Sequence, residues 1–399
     1  MATQNHMSYD DYPTPGSASD NNHSSNTNLD DGFSSDNGLR YLIVRPDKGV
    51  IWDIFRYMVL GDIASGMRFL ESNCENEEGT DSMVGRVAAD HRSGILVVVI
   101  VRKIVAVIAK PMEWTGYFVD FLLNLLCENG YFFGLMYNLF LGKVVVPQRD
   151  TESFLSLTGH LDGRVDLCKD QSFADGNDTN SVSDGGSLKV EMGNWALMDL
   201  CIMACKLAYE NAQVIRSAVL HLWKMHFVDF YTCWKDYQKK WSTQVFILCD
   251  KPKDANLILI TFRGAEIFEP TGWSTDFDYS WYEVPKFGRV HMGFLEALGL
   301  GSRTDPTTFH YHLQVKDRER GSSELMSSYT DSDIDQGGEV KVMSAYDTLR
   351  SKLQILLEEH KNAKFLVTGH GLGGALAILF PVVLVLQEEN EVMQRFLGV

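Results

Sequence analysis

Polar and apolar positions divide the chain into stretches of different character. Residues 1–38 are rich in Ser, Asn, Asp and Gly without a sustained apolar run, which predicts a disordered acidic tail. From Tyr41 to Leu70 the pattern turns amphipathic (Ile51, Ile54, Phe55, Met58, Val59), and an acidic loop follows around Asn73–Asp81. Ile95–Val101 is an unbroken apolar run that Arg102-Lys103 interrupts and Ile104–Ala109 resumes. Beyond Pro111 a second apolar and aromatic stretch carries Trp114, Tyr117, Phe118, Phe121, Leu122, Leu123, Leu125 and Leu126, then Tyr131–Leu141.

Neither half supplies the ~20 uninterrupted apolar residues of a bilayer-spanning helix. Two readings stand: core helices of a globular domain, or a segment lying in a lipid surface. In the second, Trp114, Tyr117 and Tyr131 sit near headgroups and Arg102, Lys103 and Lys110 reach outward. The interfacial reading is favoured, and an oil-droplet monolayer suits it better than a bilayer because such a segment need not emerge on a far side.

Past a linker at 151–193, Ser/Asp/Gly/Asn-rich over Gln171–Gly186, the pattern becomes that of an α/β domain running to residue 399. Leu197, Leu200, Cys201, Ala204, Leu207 and Ala208 fall at helical spacing. Gln244–Cys249 and Leu257–Phe262 read as strands joined by a Lys-Pro-Lys-Asp turn, a hairpin signal. Residues 302–340 are polar and charged, an inserted surface loop. Ala345, Leu349, Leu353, Leu356 and Leu357 mark an amphipathic helix. Phe365–Thr368 then reads as a buried strand, followed by a glycine-dense turn and an apolar helix from Leu372 to about Leu386. Phe365–Leu386 has no Lys, Arg, Asp or Glu. Four glycines within six residues, and Pro381, argue against reading it as a membrane span. The organisation is therefore a tail at 1–38, an N-terminal amphipathic and apolar region at 39–150, the linker, and an α/β domain at 194–399.

Charge changes the picture by exclusion. The 399 residues carry a net charge of −17, from 36 basic and 53 acidic side chains. Nucleic acid is not an expected partner, since phosphate binding needs a basic face. Seven irregularly spaced cysteines and no signal peptide favour a reducing compartment and a protein that is not secreted. Cys201 and Cys205 have no matching His or Cys pair, so they read as small buried residues, with no metal site.

The candidate chemistry lies in Phe365-Leu-Val-Thr-Gly-His-Gly-Leu-Gly-Gly-Ala-Leu376. This is the strand–elbow–helix context in which G-x-S-x-G hydrolases present a nucleophilic serine. The frame here is Gly369, His370, Gly371, Leu372, Gly373, and glycine holds the serine position. A residue with a Cβ stores about 1–3 kcal/mol of strain in such a turn. Glycine relieves it for roughly 0.5–1 kcal/mol of chain entropy, so the turn is kept while the reactive oxygen is lost. The amide of Leu372 is one expected oxyanion donor. The second is the amide of Ala265, at the end of Thr261-Phe-Arg-Gly-Ala265, which leaves a buried strand and turns.

Together with that elbow, Phe262-Arg-Gly, Trp273 with Thr275-Asp276, and Val290-His-Met-Gly-Phe294 resemble the plant oil-body triacylglycerol lipases, of the fungal-type (class three) lipase family of α/β-hydrolases. Arg45-Pro-Asp-Lys-Gly49 and the N-terminal apolar segment also resemble that subfamily, and the likeness covers about Leu39 to Val399 outside the low-complexity linkers. The resemblance implies an α/β-hydrolase fold, no cofactor, an acylglycerol or other neutral lipid as partner, and residence at a lipid droplet (oil body) or cytoplasmic membrane surface. It implies a lid over Glu266–Tyr282, with Ile267, Phe268, Trp273, Phe277 and Trp281, and with Asp276 helping to fix it. His291 and His370 match family histidines that serve structure near the sheet. Family members carry the triad Asp and His beyond the elbow, yet Leu372–Val399 contains neither. The expectation is an incomplete, truncated lipase domain without esterase activity. The alternatives are a droplet-binding pseudoenzyme, or a gene-model fragment of an active lipase whose native mass exceeds 45.0 kDa.

Overall fold

A computed structural model of the chain describes residues 41–73, 83–167, 194–235, 237–284, 287–313 and 344–399. The tail, the acidic loop beyond Asn73 and the Gln171–Gly186 linker lie outside the described residues. Nine strands are found among them: Tyr41–Val44 (β1), Leu70–Ser72 (β2), His226–Lys235 (β3), Lys240–Cys249 (β4), Leu257–Phe262 (β5), Trp281–Val284 (β6), Gly288–His291 (β7), Lys364–Gly369 (β8) and Phe396–Gly398 (β9).

The larger sheet has the order β3-β4-β5-β8-β9. β4 and β5 form the hairpin that the Lys-Pro-Lys-Asp turn predicts, while β5 and β8 run parallel, with Phe262 opposite Gly369. All six residues of β5 are buried, as a central strand covered on both faces requires. Its side chains alternate between two cores. Ile258, Ile260 and Phe262 face the helices Met292–Leu298, Ala345–Glu359 and Leu372–Leu386, whereas Leu257 and Leu259 face the helix Trp195–Leu207. The result is a three-layer α/β arrangement. β3 escapes prediction from pattern because, at the sheet edge, most of its positions are only half-buried and do not alternate.

A second sheet, β2-β1-β6-β7, joins the N-terminal region to Trp281–His291 of the α/β domain, with Tyr41 opposite Tyr282. Leu39–Val399 accordingly forms one compact unit. Two expected loops are folded in part. Within the linker, Ser156 caps a short helix Leu157–Leu161 and its hydroxyl donates to Glu210 at 2.7 Å. Of the expected surface insertion, residues 314–340 lie outside the described residues; before them Arg303 is buried and ion-paired, and the helix Thr308–Leu313 buries Phe309 and Leu313.

The N-terminal apolar stretch departs most from expectation. Pro111 does not divide it: one helix runs Arg92–Glu128, 37 residues. Proline in a helix interior costs about 3 kcal/mol. That cost is outweighed because a single stripe (Ile95, Val98, Val99, Arg102, Val105, Gly116, Asn124) is buried on both sides of the proline. The other face exposes Ile104, Val107, Ile108, Trp114, Phe118 and Phe121. After Gly130 a second helix, Tyr131–Phe140, buries none of its residues. Among the described residues no helix is long and apolar enough to cross a membrane.

Candidate active site

β5 and β8 end side by side, so the turns that follow them meet at one edge of the sheet. After β8 the chain makes its sharp turn at Gly371, with φ +59° and ψ −122°, and enters the helix Leu372–Leu386. Glycine is needed on either side for reasons of space. A Cβ on Gly369 would lie 2.2 Å from the carbonyl oxygen of Gly373, and one on Gly373 would lie 2.4 Å from that of Phe262. Position 371 differs: a Cβ there would meet nothing within 4 Å, and the residue is exposed. The turn therefore has room for a side chain that the sequence does not provide. The Leu372 amide makes no hydrogen bond with another described residue.

The turn after β5 packs directly on this elbow, since a Cβ on Gly264 would lie 2.4 Å from the His370 carbonyl oxygen. Ala265 follows, and the helix Pro270–Asp276, within the segment expected to form a lid, sits on it through Gly272, whose added Cβ would come within 2.4 Å of the Ala265 Cβ. Arg263 holds the segment by pairing with Glu266 at 3.0 Å and with Glu269 at 2.8 Å. The rings of Trp273 and Phe277 meet at a tilt with centroids 6.1 Å apart, both partly exposed, and Ile267 is exposed as well.

Against this helix lies a buried polar layer that the pattern of the sequence does not reveal. Lys235 donates to Thr275 Oγ1 at 2.6 Å, and Gln238 donates to the same oxygen at 3.2 Å. Burial pulls the Lys235 ammonium down to about 8, with Glu296 acting the other way. Asp276 itself is exposed, and the buried anchor is Asp278, two residues on. Its carboxylate accepts from Arg303 at 2.6 Å, from Arg102 at 3.3 Å and from the Ser280 hydroxyl at 2.7 Å. Burial alone would push that carboxyl up, but the Arg303 and Arg102 guanidiniums outweigh it and hold it below its ordinary value. Arg303 also grips Glu296 at 2.7 Å. Arg102 therefore does not reach outward to lipid, as its sequence context suggests, because its partner lies 176 positions away. A guanidinium inside an otherwise apolar run was the one available signal.

The histidines occupy different surroundings. His291 is largely buried, stacks on Phe294 at 4.0 Å between centroids, and shares a hydrogen bond with the Asp278 carbonyl at 2.9 Å. Burial lowers its pKa against the opposing effect of Asp278. His370 is exposed beside Gly371, with Nδ1 3.1 Å from the Tyr209 hydroxyl. Cys205 Sγ lies 3.2 Å from Thr368 Oγ1 under the elbow, and burial raises its thiol and that of Cys201, the latter to about 12, so neither supplies a thiolate near pH 7.

Comparison with known proteins agrees with this architecture. A family model described as lipase (class 3) matches residues 259–397. The chain is 50% identical to a triacylglycerol lipase OBL1 of Arabidopsis thaliana over 374 residues, covering 93% of this chain and 70% of that protein. It is 49% identical to one of Nicotiana tabacum (90% of this chain, 70% of that protein) and 40% identical to one of Ricinus communis (90% and 68%). No solved structure matches.

Proposed function

Because the chain belongs to the class 3 lipase family, we propose that it engages acylglycerol lipid at a droplet or membrane surface on a lipase scaffold whose hydrolytic step is impaired. The observation that carries this reading is Gly371. The backbone there has the strained geometry of a nucleophile turn and open space above it, yet there is no hydroxyl to attack an ester carbonyl. Loss of the nucleophile costs on the order of 10⁶ in turnover, and backbone donors alone leave modest catalysis over water. The amides of Leu372 and Ala265 can polarise an ester carbonyl but cannot form an acyl-enzyme. His370, the imidazole next to the turn, faces Tyr209 through Nδ1.

The surface half of the proposal draws on the outer face of the long helix, the wholly unburied helix Tyr131–Phe140 and the outward lid residues Trp273 and Phe277. Exposed apolar area on this scale marks an interaction surface. Aromatic residues with the exposed Lys110 nearby fit the boundary between oil and headgroups, whereas Lys103, expected to reach outward, donates to the Gly49 carbonyl at 3.1 Å. The test is paired. Purified protein is expected to float with a triolein emulsion and to show no turnover of triolein or a short p-nitrophenyl ester above a boiled control. Turnover accompanied by fluorophosphonate labelling overturns the impairment, and protein that stays in the aqueous layer overturns the surface reading.

A further inference from the structure

We propose that a cavity on the Trp195–Leu207 side of the larger sheet is a binding site for a small neutral amphiphile, a single alkyl chain with a hydroxyl-bearing head. The cavity lies between segment 152–165, the helix Trp195–Leu207, and the helix Ala212–Ser217 with the residues up to Leu222. None of its lining comes from the elbow or the Ala265 turn, so it is separate from the site described above and does not rest on the lipid-surface reading.

The space is set by which side chains are present and which are missing. Its volume is about 200 Å³, and its apolar walls are Leu155, Val165, Met203, Leu207, Val214 and Ala218, the last four buried. Met203 and Leu207 are four positions apart, as are Val214 and Ala218, so each helical run turns one apolar edge to the cavity. Gly159 and Gly163 also line it, and a Cβ on Gly163 would meet nothing within 4 Å. The exposed lining residues Glu152, Gly163 and Leu222 mark the mouth. An apolar cavity of about 150 Å³ accepts a benzene ring, so this one has room for roughly eight carbons. Left empty, its walls forfeit dispersion contacts, which an alkyl chain restores.

The polar part of the lining selects the head. Glu210 is buried, and its two carboxylate oxygens accept from the Ser156 amide and hydroxyl, both at 2.7 Å. The Lys206 ammonium pairs with Asp162 at 3.0 Å and donates to the Arg164 carbonyl. These charges are therefore committed within the protein, and what they still offer is hydrogen bonding. Each Glu210 oxygen keeps a free lone pair, and the ammonium has a third proton. A hydroxyl can donate to the first and accept from the second. A carboxylate head instead meets Glu210 and Asp162 as like charges, and an ammonium head meets Lys206. Burial also raises the Glu210 carboxyl above its ordinary value, so a hydroxyl donated to it relieves a charge that is costly to bury.

The probe is 1-O-octylglycerol, an ether that no esterase cleaves, titrated calorimetrically into the full chain below its micelle concentration. Saturable one-to-one binding is expected, with octanoate and octylammonium weaker by about tenfold or more at neutral pH. Ala218→Leu and Ser217→Phe fill the cavity from adjacent positions, and each is expected to keep its circular dichroism and to bind about tenfold more weakly. Glu152→Gln with Asp162→Asn is expected to leave octylglycerol binding unchanged and to strengthen octanoate binding by about tenfold, since Lys206 is then free for it. Phe118→Asp with Phe121→Asp, on the outer face of the long helix, is expected to bind octylglycerol as wild type does. Hydrogen–deuterium exchange of wild type supplies a reading that needs no variant: 155–165 and 203–222 are expected to slow when octylglycerol is added. Absence of saturable binding, or unchanged exchange in both segments, overturns the site. So does full affinity in both filling variants, or loss of binding in the outer-face variant. Octanoate or octylammonium that binds wild type as tightly as octylglycerol overturns the assignment of the head.

Discussion

The elbow at Gly371 and the buried ion-pair group around Asp278 are built on opposite principles. At the elbow the geometry resides in the backbone: Gly369 and Gly373 are required because any Cβ would strike a carbonyl, and Gly371 adopts the left-handed region at no steric cost. No side chain is needed to hold the turn, which is why it persists without its reactive oxygen. In the ion-pair group the geometry resides in side chains: Arg102, Asp278, Arg303 and Glu296 are buried and pair with one another. Such a group specifies one arrangement and fails if any member is removed, because the remaining charges are stranded. A site of the first kind can lose its chemistry and keep its shape, whereas one of the second kind cannot lose a member cheaply.

The sharpest way to break this comparison is Arg303→Met. It strands Glu296 and weakens the hold on Asp278, so the expected loss is about 3–5 kcal/mol in urea unfolding. A midpoint shift equivalent to less than about 1 kcal/mol defeats the claim that the anchor depends on its charges. Next in size is Gly373→Ala, whose Cβ meets the Phe262 carbonyl, with an expected cost of about 1–3 kcal/mol from overpacking. Wild-type stability in that variant shows that the elbow is not held by backbone contact.

Gly371→Ser meets open space and only the strain of positive φ, about 1–3 kcal/mol. It is expected to fold and to remain unlabelled by a fluorophosphonate, since the imidazole beside it, His370, faces Tyr209 through Nδ1. Strong labelling with cleavage of triolein in this single variant breaks the impairment argument. The smallest effect concerns Lys235. Its folded pKa of about 8 lies below the ordinary 10.5, so between these values the unfolded chain holds a proton that the folded chain has released. Stability should therefore gain from this residue as pH rises through that window, by at most ~1.4 kcal/mol per pH unit. The gain should vanish in Lys235→Met, and parallel stability curves for the two proteins between pH 8 and 9.5 rule it out.

Local pattern was enough for the elements whose determinants are adjacent in sequence. The β4–β5 hairpin follows from two apolar runs around a turn tetrapeptide, and the strand, turn and helix at the elbow from an apolar run, four glycines and a second apolar run. The helix Trp195–Leu207 follows from its periodicity. The family motifs are short and contiguous, so they too were legible. Pro111, by contrast, is a helix breaker by propensity, and only the stripe buried on both sides of it explains why the helix continues.

What remained hidden is what depends on partners far apart in the chain. Arg102 reads as a headgroup-seeking cation because nothing near it in sequence is anionic, and folding brings Asp278 to it. Arg303 and Phe309 read as part of a surface insertion because charge density suggests solvent, while here the charge is neutralised internally. By itself, the sequence determined the turn at Gly371, the missing oxygen and the family, since these reside in consecutive residues and backbone preferences. Tertiary structure alone decided that one helix presents apolar residues outward on one face while its other face meets Phe268 and Asp278, because burial and ion pairing are settled by which distant segments share the same space.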